Sequence, residues 1–184
     1  MLSVIIPSRL EPRIHEFMEE IEKVIRPLQI IVYNDRYGQG KGYALREALK
    51  EAKGDLFIFI DGDFDIKVFE IWKLLPYLEQ YDVVVGNKGL PKRWDRKWLT
   101  ILSRIYIRVM FGLPVDSQTG IKGFNYRPEW KTNNWAFDIE ILYKANKMGK
   151  SIIEIPINAI VSDTKSLGDI WKTFVESIKI RFQL

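Results

Sequence analysis

The chain has 184 residues, a length that accommodates one domain with one buried core and excludes two independent catalytic lobes. Its 47% hydrophobic and 28% charged residues exclude disorder, and a net charge of +4 suits an anionic ligand, nucleic acid or an anionic membrane surface without choosing among them. With no cysteine and one histidine, His15, there is no disulfide framework, thiolate nucleophile or multi-histidine zinc site; any metal must be held by oxygen, as magnesium, manganese and calcium are.

In chain order, MLSVIIPS is too short to span a membrane and lacks the charged start of a signal peptide, so it reads as a first strand, Leu2 to Ile6, closed by Pro7. Ile14, Phe17, Met18, Ile21 and Ile25 then recur at helical spacing. A second strand over Gln29 to Tyr33 leads through the glycine-rich YGQGKG into a helix with Ala44, Leu45, Ala48, Leu49 and Ala52 inward. Leu56 to Ile60 is a third buried strand. Ile71, Trp72, Leu75 and Leu78 mark a helix, and Asp82 to Val85 a fourth strand. The rest is a basic segment, Lys92 to Arg108, entering a helix, a loop DSQTGIKGF, a helix from about Phe137, a strand SIIEIPI and a helix from about Asp169. Alternating strands and helices imply an α/β fold with a mainly parallel sheet flanked by helices. No repeat or linker divides it, so residues 1–184 read as one domain.

In such sheets ligands bind beyond the carboxyl ends of the strands, where Asp35, Asp61 and Asp63 fall. Asp61 and Asp63 are two positions apart, so extended backbone points both to one side, where they can share a hard cation; Gly62 permits close approach and Asp65 adds a third acid. A structural turn after the strand is the alternative for an isolated DGD. Gly38, Gly40, Lys41 and Gly42 do not make a Walker A loop, because Asp35 and Gly42 stand where its first glycine and its Ser/Thr belong. A lysine at a helix start beside a diphosphate and a purely structural turn both remain readings.

With these residues in view, the chain resembles the GT-A glycosyltransferases of family 2, within them the polyprenyl-phosphate sugar transferases such as dolichol-phosphate mannosyltransferase. SVIIPSRLE looks like the family's opening strand and loop, GKGYALREALKEAKGD its helix start, FIFIDGDFD its DXD strand end, DVVVGNKG its phosphate-side loop, and DSQTGIKGF with WAFDIEIL and EIPI its later motifs in order. The resemblance implies a Rossmann-like nucleotide-diphospho-sugar transferase fold, with residues 1–90 as the nucleotide-sugar half and 91–184 as the acceptor half. It implies Mg²⁺ or Mn²⁺ on Asp61 and Asp63 with Asp65 nearby, and donor contacts from Pro7, Glu11, Asp35, Lys41, Asp61, Gly62, Lys88 and Gln118. The donor would be a GDP- or UDP-linked sugar transferred with inversion to an acceptor such as a polyprenyl phosphate. Asp63 would act at the reacting diphosphate, and Asp138 would be the base for a hydroxyl acceptor. The sequence departs from the pattern after the second strand, where the family's Asp-Asp-Gly-Ser run and about two dozen further residues are replaced by NDRYGQGKG; Asp35 stands in for the base-reading acid. Near the C-terminus the family's Arg and Ser-Lys pattern appears only as SDTKSLGD, with Lys165 as a phosphate contact.

From Lys92 to Arg108 six basic residues face one acid, Asp95, beside an apolar stripe of Trp98, Ile101, Leu102, Ile105 and Val109. The last helix repeats the theme with Trp171, Phe174, Val175, Ile178 and Phe182. Such helices either lie in a membrane interface or pack on the core with a solvated basic face. The expectation is a cytoplasmic protein, peripheral on the membrane's cytoplasmic face. Two other readings are a sugar-phosphate nucleotidyltransferase, opposed by Arg9 and Arg13 around Glu11 in place of a glycine-rich signature, and a catalytically silent shortened relative that binds a membrane or partner. No nucleic acid is expected, since no aromatic-interleaved RNA-binding signature is present.

Overall fold

The computed structural model describes residues 1–27, 29–91, 93–117, 119–160 and 167–183. The elements are β1 (Leu2–Ser8), α1 (Ile14–Val24), β2 (Gln29–Asn34), α2 (Lys41–Glu51), β3 (Leu56–Ile60), α3 (Glu70–Leu74), β4 (Val83–Asn87), α4 (Trp94–Phe111), β5 (Ile121–Phe124), α5 (Phe137–Lys147), β6 (Ile152–Pro156) and α6 (Leu167–Gln183). The helix expected through Leu78 tightens after Leu74 into a 3₁₀ turn, Leu75–Glu79, with Pro76 in its first turn; proline has no N–H with which to continue the α ladder.

The strands form one six-stranded sheet in the order β2-β1-β3-β5-β4-β6. All neighbours are parallel except β5, which is antiparallel to both β3 and β4. This corrects one expectation: the second half of DSQTGIKGF is a central strand, not a loop. A lysine and a glycine hide it from a hydrophobicity pattern, yet all four of its residues are buried.

Alternation along the strands divides the core between the two faces of the sheet. Ile5, Phe57, Phe59, Val85 and Phe124 pack toward α2, α4 and α5, whereas Val4, Ile6, Ile58, Ile60, Val84 and Ile121 pack toward α1 and α3. Each fully buried phenylalanine is worth about 3–5 kcal/mol against truncation to alanine. Among the described residues no helix is long and apolar enough to cross a membrane.

Candidate active site

Because β2, β1 and β3 run side by side in one direction, their last residues open on one edge. The Asp35 amide donates to the Ser8 carbonyl at 2.8 Å, and the Asp61 amide to the Gly120 carbonyl at 2.9 Å, so both acids are fixed just past their strands. They border a cavity of about 660 Å³ with Pro7, Glu11, Lys41, Gly62 and Asp63.

Lys41 begins α2 and reaches across this edge to Asp61, its Nζ 2.6 Å from Oδ1 and 2.8 Å from Oδ2. Burial works against its charge, but the carboxylates of Asp61, then Asp138 and Asp63, outweigh it and leave its pKa above the ordinary lysine value. The Nζ also lies 5.4 Å from the centre of the Trp135 ring. Asp35 is buried and closes the turn before α2: its two oxygens accept from the amides of Gln39 and Gly40 at 2.9 and 2.8 Å. The Tyr43 amide goes to the Asn133 carbonyl. From this helix start the Lys41 side chain reaches Asp61, while the Gln39 and Gly40 amides serve Asp35. Gly40 holds φ 114°, and a β-carbon there would lie 2.4 Å from the Asn133 carbonyl, so only glycine fits.

Asp63 sits at the rim. Partial desolvation, then the charge of Asp61, raises its carboxyl above the ordinary aspartate value. Its Oδ1 accepts the Asp65 amide at 3.1 Å, and the intervening Phe64 is held at φ 62°, a conformation that costs a bulky residue strain. Phe64 is fixed by an edge contact with Phe17, ring centres 4.9 Å apart, and by the Arg13 guanidinium 4.3 Å from its ring centre. The close approach at Gly62 is made by Ile6 and Ile14, whose side chains would crowd an added β-carbon.

The carboxylate donors suit magnesium or manganese, ions that are usually held by one or two protein carboxylates plus substrate phosphates. Asp61 and Asp63 border one cavity and carry the excess negative charge that such an ion relieves, so they fit it. Among the described residues no three acids form a ready-made cage.

A second cavity, about 810 Å³, shares Lys41, Asp61, Asp63 and Trp135 with the first. Asp65, Lys88, Arg96, Arg104 and Asp138 line it as well, with apolar walls from α4 and α6. Arg104 donates to Asp116 Oδ2 at 2.8 Å and to the Gly89 carbonyl at 3.1 Å, and Glu154 of β6 accepts the Asp116 amide. Asp138, in the first turn of α5, is buried against Lys122 of β5, whose Nζ lies 2.6 Å from Oδ1 and 2.6 Å from the Thr119 carbonyl.

Of the residues that the sequence singles out, Pro7, Glu11, Asp35, Lys41, Asp61, Gly62 and Asp63 meet in the first cavity, and Asp65, Lys88 and Asp138 in the second. Gln118 and Lys165 lie outside the described residues. Sequence reasoning missed Gly120, where an added β-carbon would fall 2.4 Å from Asp61 Oδ2, and Lys122, Arg104 and Trp135. Gly120 and Lys122 stand inside the DSQTGIKGF motif, but their roles appear only once β5 is placed beside β3.

A six-stranded sheet with one reversed strand, its edge acids opening on two cavities, is the GT-A fold. The chain belongs to glycosyl transferase family 2, whose model matches residues 7–162. It is 28% identical over 133 residues to glycosyltransferase AglD of Haloferax volcanii, covering 65% of this chain and 21% of that protein. To the human dolichyl-phosphate beta-glucosyltransferase it is 26% identical over 160 residues, covering 72% of this chain and 48% of the relative. The chain therefore spans half or less of the length of these two relatives. Mycobacterium tuberculosis glucosyl-3-phosphoglycerate synthase, solved with Mn²⁺, UDP-glucose and phosphoglyceric acid, superposes with a TM-score of 0.74 at 17% identity, covering 100% of this chain and 79% of that one.

Proposed function

We propose that this domain transfers a sugar, with inversion, from a GDP- or UDP-linked donor to an acceptor, using Mg²⁺ or Mn²⁺ held by Asp61 and Asp63 with Asp65 beside them. The observation that carries this reading is that two cavities meet at Lys41, Asp61 and Asp63. The first, bordered by Pro7, Glu11 and Asp35 and walled largely by residues 1–90, takes the nucleotide side of the donor. The second, walled largely by residues 91–184, takes the acceptor.

Asp61 and Asp63 would hold the ion, whose positive charge would offset the charge developing on the leaving diphosphate. Lys41, kept protonated by its acidic neighbours, adds a second positive group at the same place. Lys88, Arg96 and Arg104 on the wall of the second cavity suit an anionic acceptor, and the apolar walls suit a polyprenyl chain. A phosphate acceptor is already a nucleophile and needs no base, while a hydroxyl acceptor would give up its proton to Asp138. The likeness to the dolichyl-phosphate transferase favours the lipid phosphate. A thermal-shift screen of UDP-, GDP- and dTDP-sugars with and without Mn²⁺ tests the donor: a rise in melting temperature that requires both sugar nucleotide and metal is expected, and no rise with any donor would overturn the reading.

A further inference from the structure

Helix α6 turns polar residues inward. Thr173 and Ser177, one helical turn apart, are buried, and Glu176 shares their side of the helix. A helix that only packs would present an apolar stripe there. Ser177 is satisfied within the protein: its hydroxyl donates to the Phe174 carbonyl at 2.7 Å and is bonded to the Tyr106 hydroxyl at 2.9 Å. Glu176 is satisfied on one side only. Its Oε1 accepts from Asn134 Nδ2 at 2.7 Å, whereas Oε2 is buried and has no hydrogen-bond partner among the described residues. Buried carboxylate oxygens are normally bonded, and one without a donor disfavours the folded chain. Glu176 lines the 660 Å³ cavity together with Lys41, Asp61 and Asp63, yet the metal and diphosphate contacts proposed above do not use it.

Position and chemistry identify what this oxygen fits. The side-chain oxygen of Asn134 would lie 2.7 Å from a β-carbon on Gly40, so Glu176 is joined through Asn134 to the start of α2, where Lys41 reaches Asp61. Trp135, next in sequence, and Thr173, three residues before Glu176, line both cavities. A sugar in transit between diphosphate and acceptor must lie at that junction. A carboxylate lacking a donor takes hydroxyl groups, an asparagine amide both donates and accepts, and an indole face suits the C–H edges of a sugar ring. The negative charge of Glu176 disfavours a phosphate at the same place.

The geometry points to Glu176 as a binding residue for the hydroxyl groups of the transferred sugar, with Asn134 orienting its carboxylate and Trp135 forming the adjacent wall. This assignment rests on the proposed function and adds to it a residue from α6, which lies beyond residue 162, where the family match ends.

Wild type, Glu176→Gln and Glu176→Ala are titrated calorimetrically, in Mn²⁺, with UDP and UDP-glucose and with GDP and GDP-mannose. Glu176→Ala is expected to bind the sugar nucleotide at least about tenfold more weakly, while the matching nucleoside diphosphate binds within about twofold of wild type. Glu176→Gln, which keeps the shape, shows the same selectivity with a smaller loss. Neither variant melts at a lower temperature without ligand, because the oxygen that is changed has no donor in the protein. The assignment is overturned if Glu176→Gln and Glu176→Ala bind sugar nucleotide as well as wild type does. Equal losses for diphosphate and sugar nucleotide in Glu176→Gln also overturn it, because they move the residue to the nucleotide or to the fold. A wild type that binds none of the four ligands removes the transferase reading and the sugar site with it, whereas a wild type that binds donors beside unselective variants removes the sugar site alone.

Discussion

The strand-end edge proposed to take the donor and the side of the second cavity proposed to take the acceptor, here the donor edge and the acceptor side, are built in different ways. At the donor edge, Asp35 follows β2 while Asp61 and Asp63 follow β3, and because these strands run parallel on either side of β1 the chain direction of the sheet brings the acids to one edge. On the acceptor side, charged residues far apart in sequence are joined through the interior: Lys122 to Asp138, Arg104 to Asp116, and Glu154 to the Asp116 amide. The strand ends place the acids of the first, with Lys41 paired to Asp61 at its surface, whereas the second is held by pairs buried in the interior. Damage to a pair should therefore be felt in stability, and damage at the donor edge in ligand binding.

The buried Lys122–Asp138 pair gives the largest separation of these effects. Breaking a buried pair from one side leaves a charge without compensation and costs about 3–5 kcal/mol. Lys122→Met is thus expected to lower the unfolding free energy by that amount in urea melts. Lys122→Met with Asp138→Leu should recover most of it, because an apolar pair of similar volume removes both charges. If the double variant is no more stable than the single, the pair is not what holds β5 to α5.

Gly120 lies where the two regions touch. A β-carbon there would meet the Asp61 carboxylate at 2.4 Å, so Gly120→Ala must displace that side chain. A cost of about 1–3 kcal/mol is expected from overpacking, together with at least tenfold weaker manganese-dependent donor binding. Equal loss of stability with unchanged donor affinity would separate Asp61 from the donor edge.

Glu140 provides the smallest and most selective effect. It is buried, and its carboxylate accepts from the Lys131 and Thr132 amides at 2.9 and 2.8 Å and from the Thr132 hydroxyl at 2.6 Å, with Lys144 at 2.7 Å. Burial raises its pKa, but the hydrogen bonds from Lys144 and Thr132 prevail and leave it below the ordinary glutamate value. A lowered folded-state pKa contributes stability above the unfolded value that is lost as pH falls through the folded one. Glu140→Gln should cost about 1–2 kcal/mol at neutral pH, and the difference from wild type should shrink below about pH 4. A difference independent of pH would show that shape, not charge, holds the loop at Lys131 and Thr132.

The same contrast explains what could be read from the sequence. β1 to β4 and β6 are apolar runs, legible by eye, and the acids that follow them inherit their place from the sheet. β5 is written IKGF, and its lysine is intelligible only with Asp138 sixteen residues on, a partner that no local pattern names. The spacing in α4 revealed an apolar stripe but not its direction, because periodicity is identical for a stripe facing the core and one facing outward. Asp35 was legible as a strand-end acid. Its engagement with the Gln39 and Gly40 amides was not, since that depends on how the shortened turn folds back.

The FIDGD run remains the centre of the account, now with Lys41 set against Asp61 and with Gly120 shaping the space around it. Calorimetric titration of UDP-glucose and GDP-mannose into the wild type and Asp63→Ala, with and without Mn²⁺, tests it most directly. The account predicts binding of at least one donor that requires manganese and falls at least about a hundredfold in Asp63→Ala, while the melting temperature without ligand is unchanged. Equal affinity of wild type and Asp63→Ala in the presence of Mn²⁺ would contradict it.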